Sequence, residues 1–195
     1  MTDLAPLPLR LGEADRAALT EHFLALDGED RRLRFGASLS DDAVRDLDQR
    51  IDFARDEVFA IEGDDLRLAA VVHVAHYAGR AELGLSVLPG ARGQGLGNAL
   101  FNRAVMHLTN RGVREVFVHC LGENGAMMRL ARRNGMRVVF GGGEADAYLL
   151  LPRPTPGSLA AEWFRDQAAR FARDARLATR RAVATLKAAT PRAAR

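Results

Sequence analysis

The segment Leu85-Ser86-Val87-Leu88-Pro89-Gly90-Ala91-Arg92-Gly93-Gln94-Gly95-Leu96-Gly97 constrains the fold more than any other stretch of the chain. A short apolar run stops at Pro89 and Gly90, three glycines alternate with other residues, and a helical pattern begins. Glycine lets backbone approach a ligand closely and takes dihedrals that other residues avoid. A glycine-rich turn at a helix start gathers several free N–H groups, and the helix dipole adds positive potential there. That is a main-chain cradle for phosphate. An ordinary strand-to-helix turn has the same glycine spacing, so spacing alone leaves both readings open.

Two other phosphate loops do not fit. A P-loop needs a Lys followed by Ser or Thr after its last glycine, and no Lys follows Gly97. A dinucleotide fingerprint needs Gly-x-Gly-x-x-Gly and an acid closing the next strand; here the spacing is Gly93-x-Gly95-x-Gly97, and the next strand runs into His119 and Cys120. The arrangement Arg92-x-x-Gly95-x-Gly97 resembles the acetyl-CoA pyrophosphate loop of the Gcn5-related N-acetyltransferases (GNAT). The segment Asn124-Gly125-Ala126-Met127-Met128-Arg129-Leu130-Ala131-Arg132-Arg133-Asn134-Gly135-Met136 resembles that family's next block. Independently, Asn124 is a good helix N-cap and Gly135 a good residue just past a helix end. The segments Asp30–Phe35 and Leu121–Met127 are similar to the branch containing bacterial protein lysine acetyltransferases, over the catalytic domain only.

The pattern predicts an α/β chain with a mixed sheet and helices on both faces. Strands are expected over 7–11, 58–61, 66–76, 81–87, 113–120, 136–140 and 145–151. Helices are expected over 13–26, 41–53, 95–110 and from Asn124, with 27–34 a polar connecting segment. This order is that of the GNAT acyl-CoA N-acyltransferase fold, here with an added C-terminal helix. The expected organisation is a catalytic domain over 1–151, a Pro-rich linker over 152–156 and a basic amphipathic helix over 157–195. Residues 157–195 carry nine basic and three acidic side chains, so the basic pI of about 9.7 belongs to the tail. There Phe164, Ala168, Phe171, Ala175, Ala178 and Ala182 step by three or four residues. Packing on the domain or on a second copy in a homodimer is the leading reading of that helix. A nucleic-acid or membrane surface, or a solvated tail, are the others.

Cys120 is the only cysteine, which excludes an internal disulfide and fits a cytoplasmic location; it reads as a buried structural thiol. No apolar run approaches the roughly 20 residues that span a bilayer. The N-terminus does not read as a signal peptide.

The resemblance implies an acetyl-CoA-dependent N-acetyltransferase acting on an amine, either a protein lysine or a small molecule, by direct attack in a ternary complex. It implies that Arg92, Gly93, Gln94, Gly95, Leu96, Gly97 and Asn98 hold the pyrophosphate. It also implies that Leu85 and Val87 bond the pantetheine arm through main chain, and that Asn124 contacts that arm. Glu82 is the candidate general base. It shares a strand face with Gly84 and Ser86, opposite Leu83, Leu85 and Val87. A base is needed because an alkyl ammonium has a pKa of about 10. Many family members carry a Tyr near the sulfur as general acid, and the matching residue here is Ala131. A thiol with a pKa of about 8.5 leaves tolerably without one, and Ser86, His119 or water are the substitutes. His73 and His76 read as structural, and Tyr148, in a late apolar strand, reads as core. No metal site is expected. The missing Tyr motivates a second hypothesis, a catalytically weak or inactive CoA-binding sensor or scaffold.

Overall fold

The sheet forms where apolar residues alternate or run continuously, and its splayed centre creates the cleft. A computed structural model describes residues 7–189. Strand β1 is Leu9–Arg10, followed by helices α1 (Arg16–Leu24), α2 (Gly28–Phe35) and α3 (Asp41–Gln49). Then come β2 (Glu57–Glu62), β3 (Leu68–Tyr77), β4 (Arg80–Val87), α4 (Leu96–Asn110), β5 (Glu115–Leu121), α5 (Gly125–Arg133), β6 (Arg137–Gly141), β7 (Glu144–Leu150) and α6 (Pro156–Ala189). The seven strands lie in the order β1-β2-β3-β4-β5-β7-β6. Among the described strands only β4 and β5 pair in parallel, and α4 makes the crossover that a parallel pair needs.

Two cores lie on the two faces. Leu83, Leu85, Val116, Val118 and Ala147 pack against Leu100, Phe101 and Ala104 of α4 and Met127, Met128 and Ala131 of α5. On the other face, Val58, Ala60 and Val71 pack against Leu19 and Phe23 of α1 and Val44 of α3.

The segment expected to be a polar connection, 27–34, is instead α2. Its caps explain it: the Asp27 side chain accepts from the Asp30 N–H at 2.8 Å, and Gly36 takes the left-handed conformation, φ 78°, that ends the helix. Its apolar content is only Leu33 and Phe35, too little for a stripe.

Helix α6 also departs from expectation. Its apolar stripe is not the docked face: Phe164 and Phe171 are exposed, as are Ala168, Ala175, Ala178 and Ala182. The helix docks through ions. Arg103 of α4, 3% exposed, meets Glu162 at 2.9 Å and Asp166 at 2.6 Å, while Arg173 meets Asp15 and Glu62, both at 2.9 Å. The surface that α4, β2 and the turn before α1 offer is charged, so the complementary side of α6 is its charged one. Among the described residues no helix is long and apolar enough to cross a membrane.

Candidate active site

Strands β4 and β5 pair only at Arg80–Glu115, Ala81–Val116 and Glu82–Phe117. Beyond Glu82 they separate, while β4 stays fully paired with β3 on its other side out to Val87. The main-chain groups of Leu83–Val87 that face β5 therefore have no strand partner. An unpaired edge of this kind can take a ligand as an added strand.

A cavity of about 700 Å³ opens along that edge. Leu85, Ser86 and Val87 line one wall, the turn from Ala91 to Asn98 one end, and α2 and α5 the remaining sides. Gly93 and Gly95 take φ of 77° and 80°, which makes glycine the residue of choice at both. Gly95 caps α4, and the first helical bond is Ala99 N–H to Gly95 C=O at 3.0 Å. The amides of Leu96, Gly97 and Asn98 are thus free at the helix start. Arg92 is less free than the sequence suggests, because it is ion-paired to Asp30 of α2 and its Nε donates to Val87 O at 3.2 Å. Gln94 donates to Gly90 O at 3.4 Å, and Asn98 accepts from Asn134 at 3.0 Å. Arg129 and Arg133 of α5 also line the cavity, and neither has a carboxylate partner among the described residues.

Asn124 holds two elements together. Its Oδ1 accepts from Met127 N–H at 3.0 Å, capping α5, and its Nδ2 donates to Leu33 O at 3.3 Å at the end of α2. It is 8% exposed and lines the cavity.

Ser86 faces the cavity with a partner that the sequence did not reveal. Its Oγ lies 2.8 Å from His22 Nε2, and His22 Nδ1 lies 2.7 Å from Leu68 O. A carbonyl only accepts, so Nδ1 carries the proton and donates to it. Burial pushes the His22 pKa down to about 4, so the ring is neutral at pH 7. Nε2 is then an acceptor, and the Ser86 hydroxyl donates to it. The Ser86 hydrogen is committed, so its lone pairs are what it offers the cavity.

Glu82 lies outside this cavity. It lines a second hollow of about 230 Å³ with Arg80, Phe117, His119, Asp146 and Tyr148. Its Oε2 accepts from the Tyr77 hydroxyl at 3.1 Å. The rings of Tyr77, Phe117 and Tyr148 form a row, with centroids 5.8 and 6.4 Å apart. His119 Nδ1 sits 2.8 Å from Asp146, whose hydrogen bond raises the imidazole pKa. Tyr148, read as core, in fact belongs to this half-open surface. Between the two hollows lies Gly84, covered by the Arg34 guanidinium of α2.

The remaining candidates are structural. His73 bonds Asp56 at 3.0 Å, and His76 bonds Glu57. Cys120 is buried with its thiol toward Ala145 O, and Ala131 is fully buried in the core.

Comparison with known proteins agrees with this arrangement. The model of the Acetyltransferase (GNAT) family matches residues 22–136. No curated protein matches the chain. The GNAT domain of S. lividans PAT superposes with a TM-score of 0.64 at 19% identity, covering 74% of this chain and 89% of that one. Spermidine N-acetyltransferase from Vibrio cholerae, solved with CoA and spermine, gives 0.59 at 19% identity, covering 75% and 95%. The ribosomal-protein-S18-alanine N-acetyltransferase from Escherichia coli gives 0.56 at 21% identity, covering 77% and 95%. With the family model spanning both glycine-bearing blocks and the splayed strands β4 and β5, the chain belongs to the GNAT acetyltransferase family, whose co-substrate is acetyl-CoA.

Proposed function

We propose that this protein is a cytoplasmic N-acetyltransferase in which acetyl-CoA and a cationic amine enter from opposite hollows and meet at the fork of β4 and β5. The observation that carries this reading is the unpaired edge of β4. It runs from the glycine turn at Gly93–Asn98 to Glu82, the last residue paired with β5.

In this reading the amides of Gly93 to Asn98 take the diphosphate, with Arg92, Arg129 and Arg133 adding positive charge nearby. The pantetheine arm bonds Leu85 and Val87 as an added strand. Asn124 borders the arm while keeping its cap. The acceptor enters over Phe117 and Tyr148, where Glu82 and Asp146 favour a cation and the aromatic faces accommodate one. That chemistry suits a lysine side chain or a small polyamine. Glu82 receives the proton that the ammonium must lose before it attacks. The thiolate leaves without a tyrosine acid, since Ala131 offers none.

Titration with acetyl-CoA and a turnover assay on amine and protein-lysine panels test this reading. Glu82→Gln is expected to lower kcat by about 10²-fold near neutral pH while leaving acetyl-CoA affinity unchanged. No acetyl-CoA binding at high micromolar concentration would end the transferase reading. Binding without turnover on any amine would instead favour the CoA-binding sensor or scaffold.

A further inference from the structure

Arg34 is a largely desolvated cation that makes no direct ion pair. The residue as a whole is half-buried, but its Nε has essentially no solvent contact and no hydrogen-bond partner. No carboxylate lies within ion-pair distance of it among the described residues. Its neighbours are aromatic, with the guanidinium carbon 5.0 Å from the Phe35 ring centroid and 5.9 Å from that of Phe23. Burial lowers its pKa to about 10, partly opposed by the Glu82 carboxylate, which leaves it charged at pH 7. A desolvated charge with no direct ion pair is costly to a fold. Such a residue persists where the surrounding structure holds it for another purpose.

The chain makes room for this group. The guanidinium lies over Gly84, and a Cβ at position 84 would collide with its carbon and both terminal nitrogens. Gly84 sits between Glu82, which lines the acceptor hollow, and Ser86, which lines the cofactor cavity. Arg34 itself lines the cofactor cavity. One face of β4 therefore presents a carboxylate, then a cation held over a glycine, then a hydroxyl fixed by His22.

We infer that Arg34 is a catalytic residue, whose guanidinium donates to the acyl oxygen of the thioester as negative charge develops there. This rests on the transferase reading above. The amine nitrogen attacks the carbonyl carbon and forms the C–N bond. The carbonyl π pair moves to oxygen, giving an alkoxide that the Arg34 N–H groups stabilise. Collapse restores the C=O, breaks the C–S bond and sends its electron pair out on the thiolate, which takes up the surplus N–H proton through water, because Glu82 already holds the proton that the ammonium lost. A donor already fixed and desolvated favours the charged intermediate over the neutral thioester, and it raises kcat rather than ground-state affinity.

The test compares wild type, Arg34→Met, Arg34→Lys and Gly84→Ala in steady-state kinetics and thermal unfolding, with acetyl-CoA and succinyl-CoA as donors. Arg34→Met is expected to lower kcat by about 10²- to 10³-fold, with KM for acetyl-CoA changed by less than about threefold. Its Tm should equal or exceed that of wild type, because an unpaired buried charge is removed. Arg34→Lys should recover part of the rate. Gly84→Ala displaces the guanidinium without deleting it and should also lower kcat, which keeps the inference testable if Arg34→Met does not fold. Unchanged kcat in Arg34→Met, or a rate loss that only follows a fall in Tm, would overturn the assignment. So would a preference for succinyl-CoA that disappears in Arg34→Met, since the cation would then hold an acyl carboxylate in the ground state. Absence of turnover in wild type would overturn the transferase reading and this inference with it.

Discussion

The imidazole of His22 bridges two strands, donating to Leu68 O on β3 at 2.7 Å and accepting from Ser86 Oγ on β4 at 2.8 Å. It is 2% exposed and holds its pKa at about 4 through burial. Unfolding returns it to about 6.5. The unfolded chain therefore binds this proton more tightly, so stability falls as pH drops from about 6.5 to 4. The full difference is of order 3 kcal/mol at pH 4. Urea unfolding of wild type and His22→Gln across pH 4–7 measures it. The variant should lose about one proton's worth of pH slope in that window. The same slope in both proteins would remove His22 as its cause. Glu57 does not interfere: burial opposes its ionisation, but hydrogen bonds from His107 and His76 hold its pKa down at about 2. Its contribution is lost only as pH falls from about 4.5 to 2.

The docking of α6 makes an inverted forecast from the usual one for an amphipathic helix. Phe171 is 77% exposed, whereas Arg103 is 3% exposed and faces Glu162 and Asp166 while its guanidinium stacks 4.3 Å from the Phe59 ring centroid. Removing one partner of a buried ionic cluster costs about 3 kcal/mol or more. Truncating an exposed apolar side chain costs within about 0.5 kcal/mol. Arg103→Met should therefore lower Tm by several degrees and expose α6 to limited proteolysis, and Phe171→Ser should do neither. The opposite ranking would mean that the apolar stripe carries the helix.

What was legible in the sequence divides along physical lines. Elements with a strong apolar period, such as β3, β4 and α4, are placed within a residue or two. The glycine turn declares itself because its backbone needs positive φ at Gly93 and Gly95. Helix α2 escapes because its two caps outweigh its weak apolar pattern, and with it escape Asp30, Leu33 and Arg34, which all line the cofactor cavity. Arg34 has a trace in the sequence only through Gly84, a glycine in mid-strand where close approach by another group is one explanation. His22 has none: it sits on α1 between the core residues Leu19 and Phe23, and its partner is 64 positions away. The α6 stripe misleads because periodicity finds the apolar face of a helix and not the surface it meets. Here that surface is ionic.

The glycines of the turn separate conformational need from ligand approach. At Gly95, φ is 80°, and any other residue is strained there by about 1–2 kcal/mol. At Gly97 the backbone is helical, and an added Cβ would meet only Val87 Cγ2 at 3.7 Å, an ordinary contact. Gly97→Ala should therefore leave Tm nearly unchanged, or raise it slightly through helix propensity. If the amide of Gly97 lies against a diphosphate, the new methyl group crowds that ligand and acetyl-CoA affinity should fall by about tenfold or more. Gly95→Ala should lose both stability and affinity. Calorimetric titration of the two variants alongside thermal unfolding resolves the contributions. Full acetyl-CoA affinity in Gly97→Ala would mean that the diphosphate is held elsewhere, whatever happens to Gly95→Ala.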